Sequence, residues 1–246
     1  MSAGWTKLVL MLSKPNEESN WISVADLMTA LMVIFMFIAI NYILQVIDHT
    51  FVEEEIYNKL EEVFEEEINE EEIELGPDGT IRFKAEPGKN LFASNRSRIS
   101  AEFQEALDNF IPKYWEVLTS DTAYFKYIKE IRIEGHTDTV PPYGQFEDSY
   151  IYNLNLSSRR ASSVLDYLRQ NAVYQEATVA EKRRMNFLFT SIGFSFSRAL
   201  NDDKEYVYSS DNKQVNNEFS RRVEFRIVTS NEELINAIKK SNGGEE

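Results

Sequence analysis

Residues 21–47 read WISVADLMTALMVIFMFIAINYILQVI, and this stretch decides how the chain is organised. From Leu27 through Leu44 no side chain is charged. At about 1.5 Å per residue the run Trp21–Ile47 extends roughly 40 Å as a helix, enough to cross a bilayer with tilt. Asp26 lies within this span or at its edge. A carboxylate at the centre of a membrane helix costs about 2.5–3.5 kcal/mol on an insertion scale, so such residues usually face a pore or a partner. Asp26, Thr29, Ala30 and Val33 stand at i, i+3, i+4 and i+7, which puts a carboxylate, a hydroxyl and small side chains on one helix face. That face suits close packing against other helices around a wet pocket. Burial there raises a carboxylate's affinity for a proton, so that uptake and release come within reach of neutral pH. The plainer alternative is a carboxylate snorkelling to the interface five residues after Trp21.

On the N-terminal side, Leu8–Leu12 is too short for a signal-peptide core, and no small-residue cleavage site follows the long run. The expectation is an uncleaved signal anchor, with residues 1–20 a cytoplasmic tail and residues 21–47 the membrane helix. Lys7 and Lys14 precede the span and an acidic block follows it, so the N-terminus is expected inside and the bulk of the chain outside the inner membrane. The net charge of −15 is unevenly spread. Residues 48–78 hold fourteen acidic side chains against Lys59 alone, whereas residues 79–246 sum to −1. No basic stripe is available to neutralise phosphates, which excludes nucleic acid as a partner. The chain has no cysteine, so its domain stands without disulfides.

Residues 48–78 read as an acidic helical linker. Within Phe51–Leu75, the residues Ile56, Leu60, Val63, Phe64 and Ile68 recur at spacings of three and four, an apolar stripe on one helix face. Glutamate repulsion weakens such a helix alone, so the stripe is expected to pair with a second copy. Gly76-Pro77-Asp78-Gly79 then breaks it. Residues 79–246 alternate strand and helix patterns. Strands are expected at Thr80–Ala85, Tyr127–Glu134, Asn186–Ile192 and Val223–Thr229. Helices are expected at Ser100–Leu118, Ser157–Gln170 and Asn231–Lys240, with polar loops at Thr139–Tyr152 and Ser195–Phe219. The pattern predicts an α/β sandwich with helices over a mixed sheet.

Three blocks in the domain carry chemistry: Gly135-His136-Thr137-Asp138 after a strand, Asn153-x-x-Leu156-Ser157-x-x-Arg160-Ala161 opening a helix, and Ser220-Arg221-Arg222-Val223-Glu224 leading into the last strand. In this order and spacing they resemble the OmpA C-terminal-like peptidoglycan-binding domain over residues 79–230, and Leu91-Phe92-Ala93 also fits. The Asp138-to-Asn153 loop is longer than in simple members, and Ser220 stands where the third block usually has Asn. The resemblance implies that Asp138 takes the ammonium and Arg160 the carboxylate of a diaminopimelate-containing stem peptide. Thr137, Asn153 and Leu156 would shape the walls, and Tyr152 would lean on the ligand. The chemistry agrees, since a guanidinium fork complements a carboxylate. An ordinary surface ion pair between Asp138 and Arg160 is the structural alternative.

His136 has no cysteine and no second nearby histidine with which to build a metal site, and it reads as a structural residue holding its turn. No Gly-x-Ser-x-Gly elbow, P-loop or zinc-protease helix occurs, so no enzyme, metal or cofactor is expected.

Trp21 and Ala25-Asp26-x-Met28-Thr29-Ala30-Leu31-Met32 resemble the membrane helix of MotB- and PomB-type stator B subunits. The resemblance implies that Asp26 carries the ion, with Thr29 lining the path. A single carboxylate and hydroxyl favour a proton as that ion. The resemblance also implies a homodimer inside a pentamer of A-type membrane subunits. Flagellar B subunits carry a basic tail before the span, but residues 1–20 have two lysines and two glutamates. The chain is more similar to the B components of Zorya anti-phage defence systems, whose A-type partner is ZorA. A flagellar stator and a passive cell-wall tether are the alternatives.

Overall fold

The computed structural model describes residues 17–85, 90–93, 96–121, 124–140 and 148–229. It divides into two compact units, with the boundary between Asp48 and His49. Helix α1 (Glu17–Val63) begins before Trp21 and continues past that boundary. Its segment Trp21–Leu44 is 24 residues long, apolar enough to cross a membrane, and buries no residue within the chain. A helix that is apolar all round has the composition of a membrane span.

In the second unit the same helix buries a stripe. Val52, Ile56, Leu60 and, just past its end, Phe64 are in the domain core, while Val63 is exposed. The Phe64 ring lies 5.2 Å from Phe110. The stripe expected to pair with a second copy is therefore occupied by its own domain. The physical reason is proximity: an apolar surface tethered in the same chain competes at high effective concentration against any second molecule. Glutamates between the stripe positions, among them Glu53, Glu54, Glu61 and Glu62, remain exposed. The expected helix to Leu75 also ends early. A short α2 (Glu65–Asn69) follows, Glu71 adopts a positive φ of 61°, and the chain enters β1 (Glu74–Leu75).

The domain continues with β2 (Ile81–Lys84), α3 (Ala101–Thr119), α4 (Tyr124–Tyr127), β3 (Ile128–Gly135), α5 (Ser149–Gln170), α6 (Ala172–Gln175), α7 (Val179–Leu188), β4 (Phe189–Gly193), α8 (Asn217–Ser220) and β5 (Arg222–Thr229). The sheet order is β1-β2-β5-β3-β4, antiparallel except for the parallel pair β3–β4. This is the expected α/β sandwich with a mixed sheet. Because side chains alternate along a strand, the sheet has two chemically distinct faces. Ile131 and Ile133 of β3, Val223 and Phe225 of β5, and Ile81 and Phe83 of β2 join Phe103, Leu107, Phe110 and Tyr114 of α3 in the apolar core. Phe225 sits 4.8 Å from Phe110, and Phe83 sits 5.0 Å from it, ring to ring. The alternate residues Arg82, Glu134, Glu224 and Arg226 are charged.

Helix ends follow local chemistry. Ser100 caps α3 by accepting from Phe103 N, as expected. Asp148 caps α5 by accepting from Tyr150 N and Ile151 N, so α5 begins eight residues before the expected Ser157, and the cap falls inside the stretch expected as loop. Thr178 and Glu181 form a capping box at α7. That helix takes Asn186–Leu188 from the expected strand, which starts at Phe189. The expected helix Asn231–Lys240 lies outside the described residues.

Candidate functional site

Two glycines set the geometry. Gly135 ends β3 beside Gly193, which ends β4. A Cβ on Gly135 would fall 2.2 Å from the carbonyl oxygen of Ser157, and one on Gly193 would fall 2.3 Å from the amide nitrogen of Ser158. Helix α5 thus rides with its backbone directly on the strand ends, an approach only glycine permits. Ser195 fastens the same corner in a left-handed conformation, φ 54°. Its N–H donates to Ser157 Oγ at 3.0 Å and its hydroxyl to the Tyr150 carbonyl at 2.9 Å. Its carbonyl accepts from Thr137 N at 3.0 Å. The loop after β3 and the first turns of α5 are thereby held in register.

On this corner Asp138, Arg160 and Arg221 converge. Asp138 Oδ2 accepts from Arg221 Nη1 at 2.8 Å, and Oδ1 accepts from Val140 N at 3.2 Å. Arg160 donates from Nε to the Arg96 carbonyl at 3.2 Å, and its guanidinium lies 5.1 Å from the centre of the Phe92 ring. Burial lowers the Arg160 pKa to about 10, with Asp138 acting to raise it, Arg221 to lower it and Tyr152 to raise it. It stays cationic at neutral pH. The expectation of an Asp138 open to an ammonium is modified, because its carboxylate is held by Arg221, a residue that the sequence marks only as a strand lead-in. Two guanidinia and one carboxylate leave the trio with a surplus positive charge. Such a set takes a carboxylate in a guanidinium fork.

The other expected residues divide by burial. Thr137, Asn153 and Leu156 are buried. Asn153 spends its amide on the Ser149 carbonyl at 3.1 Å, so it stiffens the first turn of α5. Tyr152 is half-buried beside Arg160.

A second charged cluster lies on the polar sheet face. Glu134 and Glu224 are paired across β3 and β5, and both are fully buried with His136. Glu224 receives Arg222 Nε at 2.6 Å, Arg82 Nε at 3.1 Å and Arg226 Nη2 at 3.0 Å. Glu134 lies 3.3 Å from Arg226 Nε and 3.6 Å from Arg198 Nη1. The His136 ring stacks on Phe194 at 5.3 Å, with Nε2 3.5 Å from Glu134. Burial would raise the Glu224 pKa, but Arg222, then His136 and Arg82, hold it well below the usual carboxylate range. Burial, followed by Arg222, depresses His136 to about 4, so the ring is neutral at pH 7. The ligating atoms of Glu134, His136 and Glu224 lie within 4.8 Å of one another. Yet four guanidinia already face the two carboxylates, and a divalent cation would add to a positive excess. The histidine expected to hold its turn is instead part of this ionic layer.

In the first unit Asp26 is exposed. The Thr29 hydroxyl donates to the Ala25 carbonyl at 2.8 Å, which uses its proton and leaves its oxygen lone pairs to accept.

A model described as the OmpA family matches residues 91–188. The Zorya protein ZorB of Escherichia coli strain Crooks is 30% identical over 238 residues, covering 92% of this chain and 94% of the relative. The chain belongs to the ZorB family. A second ZorB, from an ETEC strain of Escherichia coli, is 30% identical over 224 residues, covering 86% of this chain and 80% of the relative. Among solved structures, a MotB-like protein from Desulfovibrio vulgaris is 22% identical, with TM-score 0.49, covering 76% of this chain and 99% of that one. Residues 91–188 contain Asp138 and Arg160 but stop short of Ser195 and Arg221, both of which the fold returns to the same corner.

Proposed function

We propose that this protein is the B-type stator subunit of a Zorya defence complex, driven by ions through the membrane and anchored to peptidoglycan. ZorB family membership favours defence over flagellar rotation. The observation that carries the ion reading is Asp26, a carboxylate adjoining a run with no other charge from Leu27 to Leu44. A passive tether gains nothing from a group that costs about 2.5–3.5 kcal/mol to insert. Packed against A-type subunits and its own second copy, Asp26 faces a wet pocket rather than lipid, where a carboxylate can take up and release an ion. The Thr29 oxygen on the same face accepts a hydrogen bond from the protonated form. One carboxylate and one hydroxyl suit a proton better than a metal cation, which needs more oxygen ligands. The N-terminus then lies in the cytoplasm and the domain in the periplasm, where Arg160 takes the stem-peptide carboxylate and Asp138 the ammonium.

The test is Asp26→Asn in the intact system. The variant keeps size and hydrogen bonding, so the complex is expected to assemble and reach the membrane while protection from phage disappears. Full protection by the Asp26→Asn variant would remove the ion-carrying role.

A further inference from the structure

We infer that Arg221 is an internal occupant of the ammonium half-site: it pairs with Asp138 and must be displaced before a zwitterionic ligand can engage both Asp138 and Arg160. This rests on the wall-binding reading and adds a specificity-determining residue to it.

The case begins with two neighbouring arginines. Arg222 enters β5 pointing into the buried ionic layer, where its side chain is only 2% exposed. Arg221, one residue earlier, points the other way, and its side chain is 38% exposed. Its backbone is fixed, since its N–H bonds to the carbonyls of Asn217 and Glu218 at the end of α8. Among the described residues its guanidinium pairs with Asp138, at 2.8 Å. The Asp138 side chain is 14% exposed, too enclosed for bulk water alone to satisfy a carboxylate cheaply. A cation on Oδ2 removes that cost while no ligand is present.

Arg160 is placed differently. The carboxylate that acts on it, Asp138, is bound to Arg221. Its own Nε–H goes to a backbone carbonyl, and among the described residues no other hydrogen bond takes up its fork, which leaves it to an incoming anion. The resting site therefore presents a free carboxylate receptor and an already filled ammonium receptor. A ligand with only a carboxylate binds Arg160 and leaves the Arg221–Asp138 pair intact. A ligand with a neighbouring ammonium has to exchange places with Arg221, so part of its binding energy goes into opening the pair. Arg221 thus lowers affinity for the zwitterion and supports that of the simple anion.

The experiment uses the full chain in detergent, with meso-diaminopimelate as zwitterionic probe and pimelate as the matched dicarboxylate lacking amino groups. Binding is measured by calorimetry for the wild type, Arg221→Gln, Asp138→Asn and the double variant, with thermal melts confirming that each is folded. The expected signature is a change of opposite sign. Arg221→Gln should bind meso-diaminopimelate roughly three- to tenfold more tightly, the range set by freeing a partly exposed pair. Pimelate should bind more weakly, because the trio loses its positive surplus. In the Asp138→Asn background, Arg221→Gln should no longer strengthen zwitterion binding. If Arg221→Gln weakens both probes, Arg221 is a direct ligand contact and the inference is overturned; if neither changes, the pair has no role in binding and it is overturned equally. Failure of the underlying reading looks different: the wild type would bind neither probe, and Arg160→Ala would leave peptidoglycan pull-down unchanged.

Discussion

The domain contains two clusters of arginine and carboxylate that come within two residues of each other in sequence, at His136 and Asp138, and their fates differ. His136 and Glu134 belong to a layer in which both carboxylates are wholly buried, and three guanidinia lie within 3.1 Å of Glu224. Asp138 belongs to a trio at the domain surface, where Arg221 is partly exposed and Arg160 is secured by a backbone carbonyl and an aromatic ring. The same side-chain types thus make a buried ionic layer in one place and a partly exposed candidate site in the other. The distinction lies in whether the charges are held out of water. The buried layer is shut off from solvent, although among the described residues both Glu134 oxygens and both His136 ring nitrogens lack a hydrogen-bond partner, and breaking its ion pairs exposes the full desolvation cost. An open cluster has donors in hand and loses little stability when altered.

The largest expected effect comes from breaking the closed cluster. Glu224→Ala leaves Arg82, Arg222 and Arg226 without their shared carboxylate, and should cost about 3–5 kcal/mol, or roughly 10 °C in melting temperature. A loss below about 1 kcal/mol would mean that the layer is solvated and the contrast between the clusters is false.

Next comes acid. The folded His136 pKa is depressed, so the unfolded chain binds more protons between about pH 6.5 and 4. The stability it contributes is present above pH 6.5 and is lost as pH falls through that window, on the order of 3 kcal/mol. Glu224 is depressed too, so its contribution is present above the ordinary carboxylate range and disappears below it. Denaturation melts across pH 7 to 4 should therefore show a steady fall, removed above about pH 4.5 in a His136→Phe variant that still folds. Ligand contact through Arg160, cationic up to about pH 10, should not follow that fall.

Arg160→Ala sharpens the comparison from the open side. Losing a charge-assisted contact should weaken peptidoglycan binding by roughly 10- to 100-fold, with melting temperature nearly unchanged. A large melting shift with intact binding would reverse the roles assigned to the two clusters. The smallest effect is expected for Arg198→Ala. Its side chain is 37% exposed and lies 3.9 Å over Phe194, at the rim of the closed layer. Its removal should cost about 1 kcal/mol or less in a denaturant titration.

Much of the fold is legible in the sequence because it is local. The charge-free run after Asp26 specifies an apolar helix, and the strand alternation around Ile131 and Ile133 specifies one buried apolar face. Ser100 marks its helix start through a side chain three residues from the amide it caps. Asp148 is equally readable as a cap, and taking its surroundings for loop hides the first turns of α5. At the candidate site, the spacing from Gly135 to Asp138 and from Asn153 to Arg160 points to a pair that the fold brings to one corner, because one strand end and one helix carry them.

What sequence could not decide is who meets whom across the chain. The stripe Ile56, Leu60 and Phe64 announces an apolar partner without saying which, and only the tertiary structure supplies Phe110 in place of a second copy. Arg221 and Arg222 are identical in type and adjacent in sequence, yet Arg221 closes α8 and Arg222 opens β5, and their side chains go to different surroundings. The change of element between them is not readable from residue type. Asp138 is 83 residues from Arg221 and Glu224 is 142 from Arg82, and no local propensity encodes contacts at such separations. They arise because β5 inserts between β2 and β3, which places charges from three distant segments within a few ångströms of one another. There, burial and electrostatics assign them their roles.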